Sequence, residues 1–238
     1  MYGNKIVLNN ISFSVTENTT VAILGPSGCG KSTLFNILAG LEKPDSGQIL
    51  FDGIENSNPT KNVSYMLQND LLLPHKTIIQ NVTLPLILSG VKKNVAEKKA
   101  KKLFDSFLIS GSENKFPHEL SGGMRQRAAF LRTYLREKNI ILLDEPFSAL
   151  DNLTKSSMHS WYLNITKSLN ITTLIITHDI DEAILLADSI FVMSPNSHNF
   201  TNCINVNNNN KDMNFLFSPE FICLKKEILS ILSQFSSR

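Results

Sequence analysis

Three cysteines, one tryptophan and a formal net charge of only +2 across 238 residues exclude several kinds of protein. Cys29, Cys203 and Cys223 have neither the spacing of metal ligands nor the pairing pattern of a disulfide-stapled secreted domain, so a reducing cytosol suits them. No stretch approaches the roughly 18 to 20 apolar residues that a membrane-crossing helix needs. The opening MYGNKIVLNN has neither the positive end nor the apolar stretch of a secretory signal. Any connection with a membrane is therefore expected to run through a partner. A charge this small gives no electrostatic footprint for nucleic acid, and none is expected as a partner. The lysines at 92, 93, 98, 99, 101 and 102 have apolar residues between them and read as the solvated face of a helix.

What is present is enough apolar material, 42% of residues, to bury a full core. Alternating apolar segments predict strands at Ile6–Val15 and Thr19–Leu24, then a helix at Ser32–Leu41 with Leu34, Ile37, Leu38 and Leu41 on one face. Strands are predicted again at Gln48–Phe51 and Val63–Leu67. From Leu71 to Glu137 strand signals give way to helical patterns, divided by Pro74, Pro85, Pro117 and the breaks at Ser89–Gly90 and Gly111. Strands then alternate with helices: Ile140–Leu143, Leu153–Leu169, Thr172–Thr177, Ile180–Ala187 and Ser189–Met193. That alternation predicts an α/β fold with a parallel sheet covered on both faces. Asn196–Asn214 is asparagine-rich and reads as a loop, and Pro219 opens a last amphipathic helix to Phe235.

Three segments carry chemistry. Gly25-Pro26-Ser27-Gly28-Cys29-Gly30-Lys31-Ser32 fits G-x-x-x-x-G-K-[ST], placed directly after a strand and opening a helix. Glycines let the backbone wrap closely, so that N–H groups converge on an anion and the helix dipole adds to them. Lys31 is placed to reach the outer phosphates of a nucleotide and the Ser32 hydroxyl to ligate Mg²⁺. Cys29 sits at a helix start, where a thiol pKa falls, but the backbone is what matters at its position. Second, the apolar strand Ile140–Leu143 delivers Asp144 and Glu145 at its end, the first suited to a Mg²⁺ shell and the second to polarising an attacking water. Third, Leu120-Ser121-Gly122-Gly123-Met124 opens another helix as a second phosphate-binding start. Two such starts with one acid pair suggest a nucleotide shared between two copies of the chain.

On these residues the chain resembles the nucleotide-binding subunit of ABC transporters over nearly its whole length. Gly25 to Thr33 is similar to the family's Walker A loop, Ile140 to Glu145 to Walker B, and Leu120 to Met124 to the signature LSGGQ, with methionine in place of glutamine. Gln68 falls at the Q-loop, Ser148 to Asp151 at the D-loop, His178 at the switch histidine, and Tyr2 where the family stacks a ring on adenine. The resemblance implies a P-loop NTPase fold: a mostly parallel core with a small antiparallel β subdomain (1–68 and 138–195), a helical subdomain carrying the signature (69–137), and a tail (196–238). It implies ATP and Mg²⁺ as cofactors, with Ser32, Gln68 and Asp144 around the metal. Glu145, His178 and Gln68 are its implied catalytic group. It also implies a head-to-tail dimer in which Ser121, Gly122 and Gly123 of one subunit contact the γ-phosphate held by Lys31 of the other.

The stretches Leu72–Asn81 and Gly123–Thr133, with the tail Pro219–Leu229, resemble the nitrate/sulfonate/taurine importers, a group that includes transporters of thiamine precursors. The function implied is ATP hydrolysis driving uptake of a small solute through a separate membrane permease, with a solute-binding protein as indirect partner. The chain would then sit at the cytoplasmic face of the membrane. An exporter or lipoprotein-release ATPase shares the same core motifs and stands as the alternative, followed by a soluble ABC ATPase without a transport role. Two departures are visible: the family has a further strand before its adenine-stacking aromatic, and the asparagine-rich loop replaces its short hairpin near 196 to 212.

Overall fold

The computed structural model describes residues 6–55, 59–206 and 212–235; Tyr2 lies outside them. In chain order the elements are β1 (Thr20–Leu24), α1 (Lys31–Leu38), the short strands β2 (Leu50–Phe51) and β3 (Ile54–Glu55), and β4 (Val63–Met66). Next come α2 (Ile78–Leu88), α3 (Lys93–Lys101) and α4 (Gly122–Tyr134). The chain then returns through β5 (Ile140–Asp144), α5 (Asn152–Ser168), β6 (Thr172–Thr177), α6 (Ile180–Leu186), β7 (Ser189–Met193), β8 (Phe200–Asn205) and α7 (Pro219–Ser233).

The six-stranded sheet runs β4-β5-β6-β1-β7-β8, all neighbours parallel except the β7–β8 pair. Strands β1 and β6 are buried along their whole length, which is why each has a continuous apolar run, with threonine at the start of β1 and at both ends of β6, rather than alternation. Successive side chains still point to opposite faces. Val21, Ile23, Leu142, Leu174 and Ile176 pack with Leu34 and Phe35 of α1 on one side. Ala22, Leu24, Ile141, Leu143 and Ile175 pack with α5, α6 and the helical region on the other. The second sheet, β2 with β3, is antiparallel and small.

The helical stretch between β4 and β5 is fastened to the core by aromatics. The fully buried ring of Phe107 sits 5.6 Å from Trp161 of α5 and 6.0 Å from both Phe130 and Tyr134 of α4. Trp161 also donates its indole N–H to Ser106 O at 3.2 Å, and the Arg127 guanidinium lies 5.5 Å from its ring centroid. Helix starts follow their side chains: Asp151, Asp179 and Ser218 each accept backbone N–H groups at the first turns of α5, α6 and α7.

Three expectations are corrected. No strand forms in residues 6–18. Asn10 and Asn18 take left-handed backbones, φ 52° and 59°, which interrupt the pleat, although Leu8, Ile11, Phe13 and Val15 still point into the core beside α1. Residues 196–212 do not simply replace a hairpin with a loop: β8 pairs antiparallel with β7 from Ser189↔Asn205 to Met193↔Phe200. The asparagines of β8 lie on an edge strand and face outward, so composition hid a strand whose partner side is apolar. Leu41, expected on the buried face of the first helix, lies past its end and is exposed, because Gly40 turns the chain away with φ 71°. The lysines at 92, 93, 98, 101 and 102 are exposed, while Ala96 and Ala100 form the inner face of α3.

Removing the Phe107 ring leaves a void between α4, α5 and the helical insertion. Phe107→Ala is expected to lower unfolding free energy by about 3–5 kcal/mol, read from the denaturant midpoint. A change below about 1 kcal/mol would show that the aromatic cluster is not what joins the two parts.

Candidate active site

The chemistry-bearing residues sit at the C-terminal ends of adjacent parallel strands, where such sheets bind ligands. β1 ends in the glycine-rich loop, β4 in Gln68, β5 in Asp144 and Glu145, and β6 in Thr177 and His178. Sheet order places the β5 and β6 ends beside the loop that follows β1.

In that loop Lys31 is buried, with 6% of its surface exposed, and its ammonium donates to Gly25 O at 2.8 Å and Pro26 O at 2.9 Å. A buried ammonium held mainly by two carbonyl oxygens, with the Cys29 sulfur at 3.9 Å, is a strong anion attractor. Gly30 caps α1 with φ 110°, and a Cβ there would meet Val7 O at 2.7 Å. Gly28 also has a left-handed backbone, φ 81°, but the space around it is open. Cys29 is fully buried against the core, and burial pushes its thiol pKa up despite the nearby Lys31. The reactive-thiol option at Cys29 is thereby lost. Pro26, Ser27 and Ser32 face outward, and Thr33 is partly buried on α1.

Asp144 is half-buried, and burial raises its pKa, opposed by a hydrogen bond that it accepts from Tyr65 Oη at 3.0 Å and by the Ser32 hydroxyl. Burial, together with the same carboxylate, pushes the Tyr65 phenol well above its ordinary range. A carboxylate out of water, next to a hydroxyl and a phosphate loop, fits the chemistry of a divalent cation. Glu145 has an unusual backbone for a non-glycine residue, φ 44°, held by its N–H donating to Ile176 O at 2.9 Å. Its carboxylate accepts from Gln68 Nε2 at 3.3 Å and lies 3.1 Å from His178 Nδ1. Ser148 completes the group, donating to Glu145 O at 3.0 Å and accepting from Gln68 Nε2 at 3.4 Å. Gln68, Glu145 and His178 therefore converge on one point.

Ser121, Gly122 and Gly123 lie elsewhere, beside the start of α5. Ser121 caps α4 by accepting Met124 N–H at 3.3 Å, and Gly123 is so close to α5 that a Cβ would stand 3.0 Å from Thr154 Cγ2. Asp151 caps α5 by accepting Thr154 N–H at 3.1 Å, and the Thr154 side chain together with that N–H holds its carboxyl below the usual range. The loop after Gln68 is tied to α4 by residues that sequence reasoning passed over. Arg125 Nε donates to Asp70 Oδ2 at 3.1 Å, and Arg132 donates to Asp70 O at 2.5 Å and Leu71 O at 2.7 Å. Tyr65 was passed over as well. Its role depends on the register of β4 against β5, with Tyr65 opposite Leu142, and no local pattern announces that register.

Residues 8–148, more than half of the chain, match the protein-family model described as ABC transporter. The formylaminopyrimidine import ATP-binding protein ThiZ of Halalkalibacterium halodurans is 47% identical over 82% of this chain and 76% of its own length. The aliphatic sulfonates import ATP-binding protein SsuB of Bacillus cereus is 41% identical over 81% and 75%. Among solved structures, cbiO1 of Clostridium perfringens, part of the ABC transporter complex cbiONQ, aligns with a TM-score of 0.78 at 26% identity, over 93% of this chain and 88% of that one. A dimeric post-hydrolysis state of the ATP-binding cassette MJ0796, bound to ADP and Pi, aligns with a TM-score of 0.72 at 27% identity, over 85% and 91%. The chain belongs to the ABC transporter family, as one of its ATP-binding, ATP-hydrolysing subunits.

The two left-handed glycines should respond differently to a methyl group. Gly30→Ala meets backbone, so nucleotide affinity is expected to fall at least about tenfold along with thermal stability. Gly28→Ala meets open space and should cost only the left-handed strain, about 1–2 kcal/mol of stability. Binding of a fluorescent ATP analogue and the melting temperature of each variant would test this; equal effects of the two would contradict it.

Proposed function

We propose that the chain powers an ABC importer: it binds ATP with Mg²⁺ at residues 25–33, hydrolyses it at Glu145, and drives a separate membrane permease. The carrying observation is the convergence of Gln68 and His178 on the carboxylate of Glu145. The Lys31 ammonium exchanges its carbonyl partners for phosphate oxygens, and the loop N–H groups surround the same anion. Ser32 and Asp144 would hold Mg²⁺, with Gln68 nearby; the ion, when bound, offsets charge on the outer phosphates. Glu145 accepts the proton of an attacking water while His178 and Gln68 orient it, and the bond between the γ-phosphorus and the bridging oxygen breaks. Tyr2 is assigned to adenine stacking.

A dimer completes the site. Ser121, Gly122 and Gly123 pack beside α5 in their own subunit, and Ser121 is exposed at a helix start, open to a phosphate held by a second copy. Asp151 lies next to that surface. The dimeric cassette bound to ADP and Pi supports this arrangement. Relatives named as import ATP-binding proteins support uptake as the direction, with a solute of the formylaminopyrimidine or sulfonate type. Among the described residues no helix is long and apolar enough to cross a membrane, so the permease supplies the membrane contact at its cytoplasmic face. A solute-binding protein selects the cargo.

Glu145→Gln is expected to abolish turnover, leave ATP binding intact and trap an ATP-bound dimer on gel filtration. Full activity in that variant would remove Glu145 from its role. Since each site needs residues of both copies, specific ATPase activity should rise with protein concentration through the dimerisation range. Activity independent of concentration, from a monomer shown as such by light scattering, would overturn the shared site.

A further inference from the structure

Beneath His178 lies a buried polar cluster that the hydrolytic step does not use. Glu182 of α6 and His159 of α5 have side chains only 4% and 9% exposed. Glu182 Oε2 accepts from Thr177 Oγ1 at 2.5 Å, and the same Thr177 oxygen accepts the Asp179 N–H at 3.1 Å. Asp179 in turn accepts from Lys155 Nζ at 2.6 Å, and that ammonium lies 3.9 Å from Glu182 Oε2. The residues on both sides of His178 are thus clamped to α5. The clamp is one turn from the Asp151 cap, since the Lys155 N–H donates to Asp151 O at 2.8 Å. His159 Nε2 faces Glu182 Oε1 at 3.6 Å, and its ring packs edge-on against Phe147, 5.0 Å away, in the loop that follows Glu145.

Burial works against the Lys155 ammonium, yet its bond to Asp179 and the fields of Glu182, Asp179 and Asp181 outweigh it and raise its pKa. Burial likewise opposes the Asp179 carboxylate, and the Lys155 bond with the α6 backbone N–H groups overcomes it. Replacing such an ion pair by apolar residues of similar volume is often neutral or stabilising, which favours a role in fixing geometry over one in stability.

We infer that Lys155 and Glu182 are positioning residues for His178, locking residues 177–179 to the first turn of α5 so that movement of the Asp151 turn is passed to the imidazole. This rests on the proposed role of His178 in orienting the attacking water. Since Asp151 lies beside the surface where a second copy is proposed to dock, the clamp would let dimer closure set the histidine in both sites.

The test is steady-state ATPase kinetics with melting temperatures on the full chain for Lys155→Ala, Lys155→Arg, Glu182→Ala, Glu182→Gln and His178→Ala. Misplacing a catalytic group acts on turnover, so Lys155→Ala should lower kcat about 10- to 100-fold with KM for ATP changed less than about threefold. Lys155→Arg keeps the ion pair and should restore most of the rate. Glu182→Gln keeps an acceptor for Thr177 and should stay close to the parent, while Glu182→Ala falls with Lys155→Ala. If Glu182→Ala does not fold, the two lysine variants carry the test. Wild-type kcat in Lys155→Ala, a loss that Arg does not rescue, or a KM that rises in step with the lost rate would each overturn the inference. His178→Ala separates the two claims. Full activity there overturns the catalytic reading of His178 and the inference together; an inactive His178→Ala beside an unaffected Lys155→Ala overturns the inference alone.

Discussion

The N–H of Glu145 donates to Ile176 O at 2.9 Å, extending the β5–β6 ladder one residue past the end of β5, and this bond holds a backbone that glutamate otherwise avoids. A left-handed non-glycine residue costs roughly 1–2 kcal/mol, so it persists only where its surroundings impose it. Here they do: Ile176 fixes the amide, and Pro146 and Phe147 are buried just beyond it. The consequence is chemical. Strand alternation alone would send neighbouring side chains to opposite faces, whereas the turn leaves the Asp144 and Glu145 carboxylates both at the strand end, with Glu145 against Gln68 and His178.

The two acids are adjacent in sequence but live in different surroundings. Asp144 is pushed toward its protonated form by burial and steadied by Tyr65 and Ser32, which suits a group meant to meet a cation. Glu145 faces amide and imidazole partners, which suits a group meant to exchange a proton with water. On the other side of the pocket the Lys31 ammonium is buried against carbonyl oxygens. The site therefore holds these charged groups through neutral partners, the Gly25 and Pro26 carbonyls for Lys31 and the Tyr65 hydroxyl for Asp144. In the proposed reaction phosphate oxygens and a cation would be stronger partners for the same groups, and that difference would let binding bias the rest of the protein.

Most of the parallel core was readable from sequence because β1, β5, β6 and β7 are largely buried and each carries an apolar run, with threonine or serine at the ends of three of them. β6 and β7 fall at the predicted residues, and the glycine-rich loop lies where its motif put it. What escaped were features set by long-range partners. The run at 6–18 has the alternation of a strand, but the left-handed turns at Asn10 and Asn18 leave it irregular. β8 lacks a local signal because its asparagines face outward and only β7 makes it a strand. In the site, residues within a motif were legible, while Tyr65, Asp70, Arg125 and Arg132 were not. Each works through a partner far along the chain, for example 79 residues away for Tyr65 and Asp144.

These long-range links decide how a change at the phosphates can reach the helical insertion. Gln68 touches Glu145 at one end of its loop, and two residues on Asp70 is gripped by Arg125 and Arg132 of α4. The same α4 begins at Ser121 and Gly122, and its far half packs through Phe130 and Tyr134 on Phe107. α4 is thus in contact with the loop of its own active site, with the surface proposed to meet the second copy, and with the interior of the insertion. Ion pairs and guanidinium–carbonyl bonds join it to the Gln68 loop, and such directional contacts are broken by small shifts more readily than a packed core is. A shift of α4 would consequently load the bonds at Asp70 and Leu71 first, while Phe107 against Trp161 is the packed contact that ties the insertion to α5.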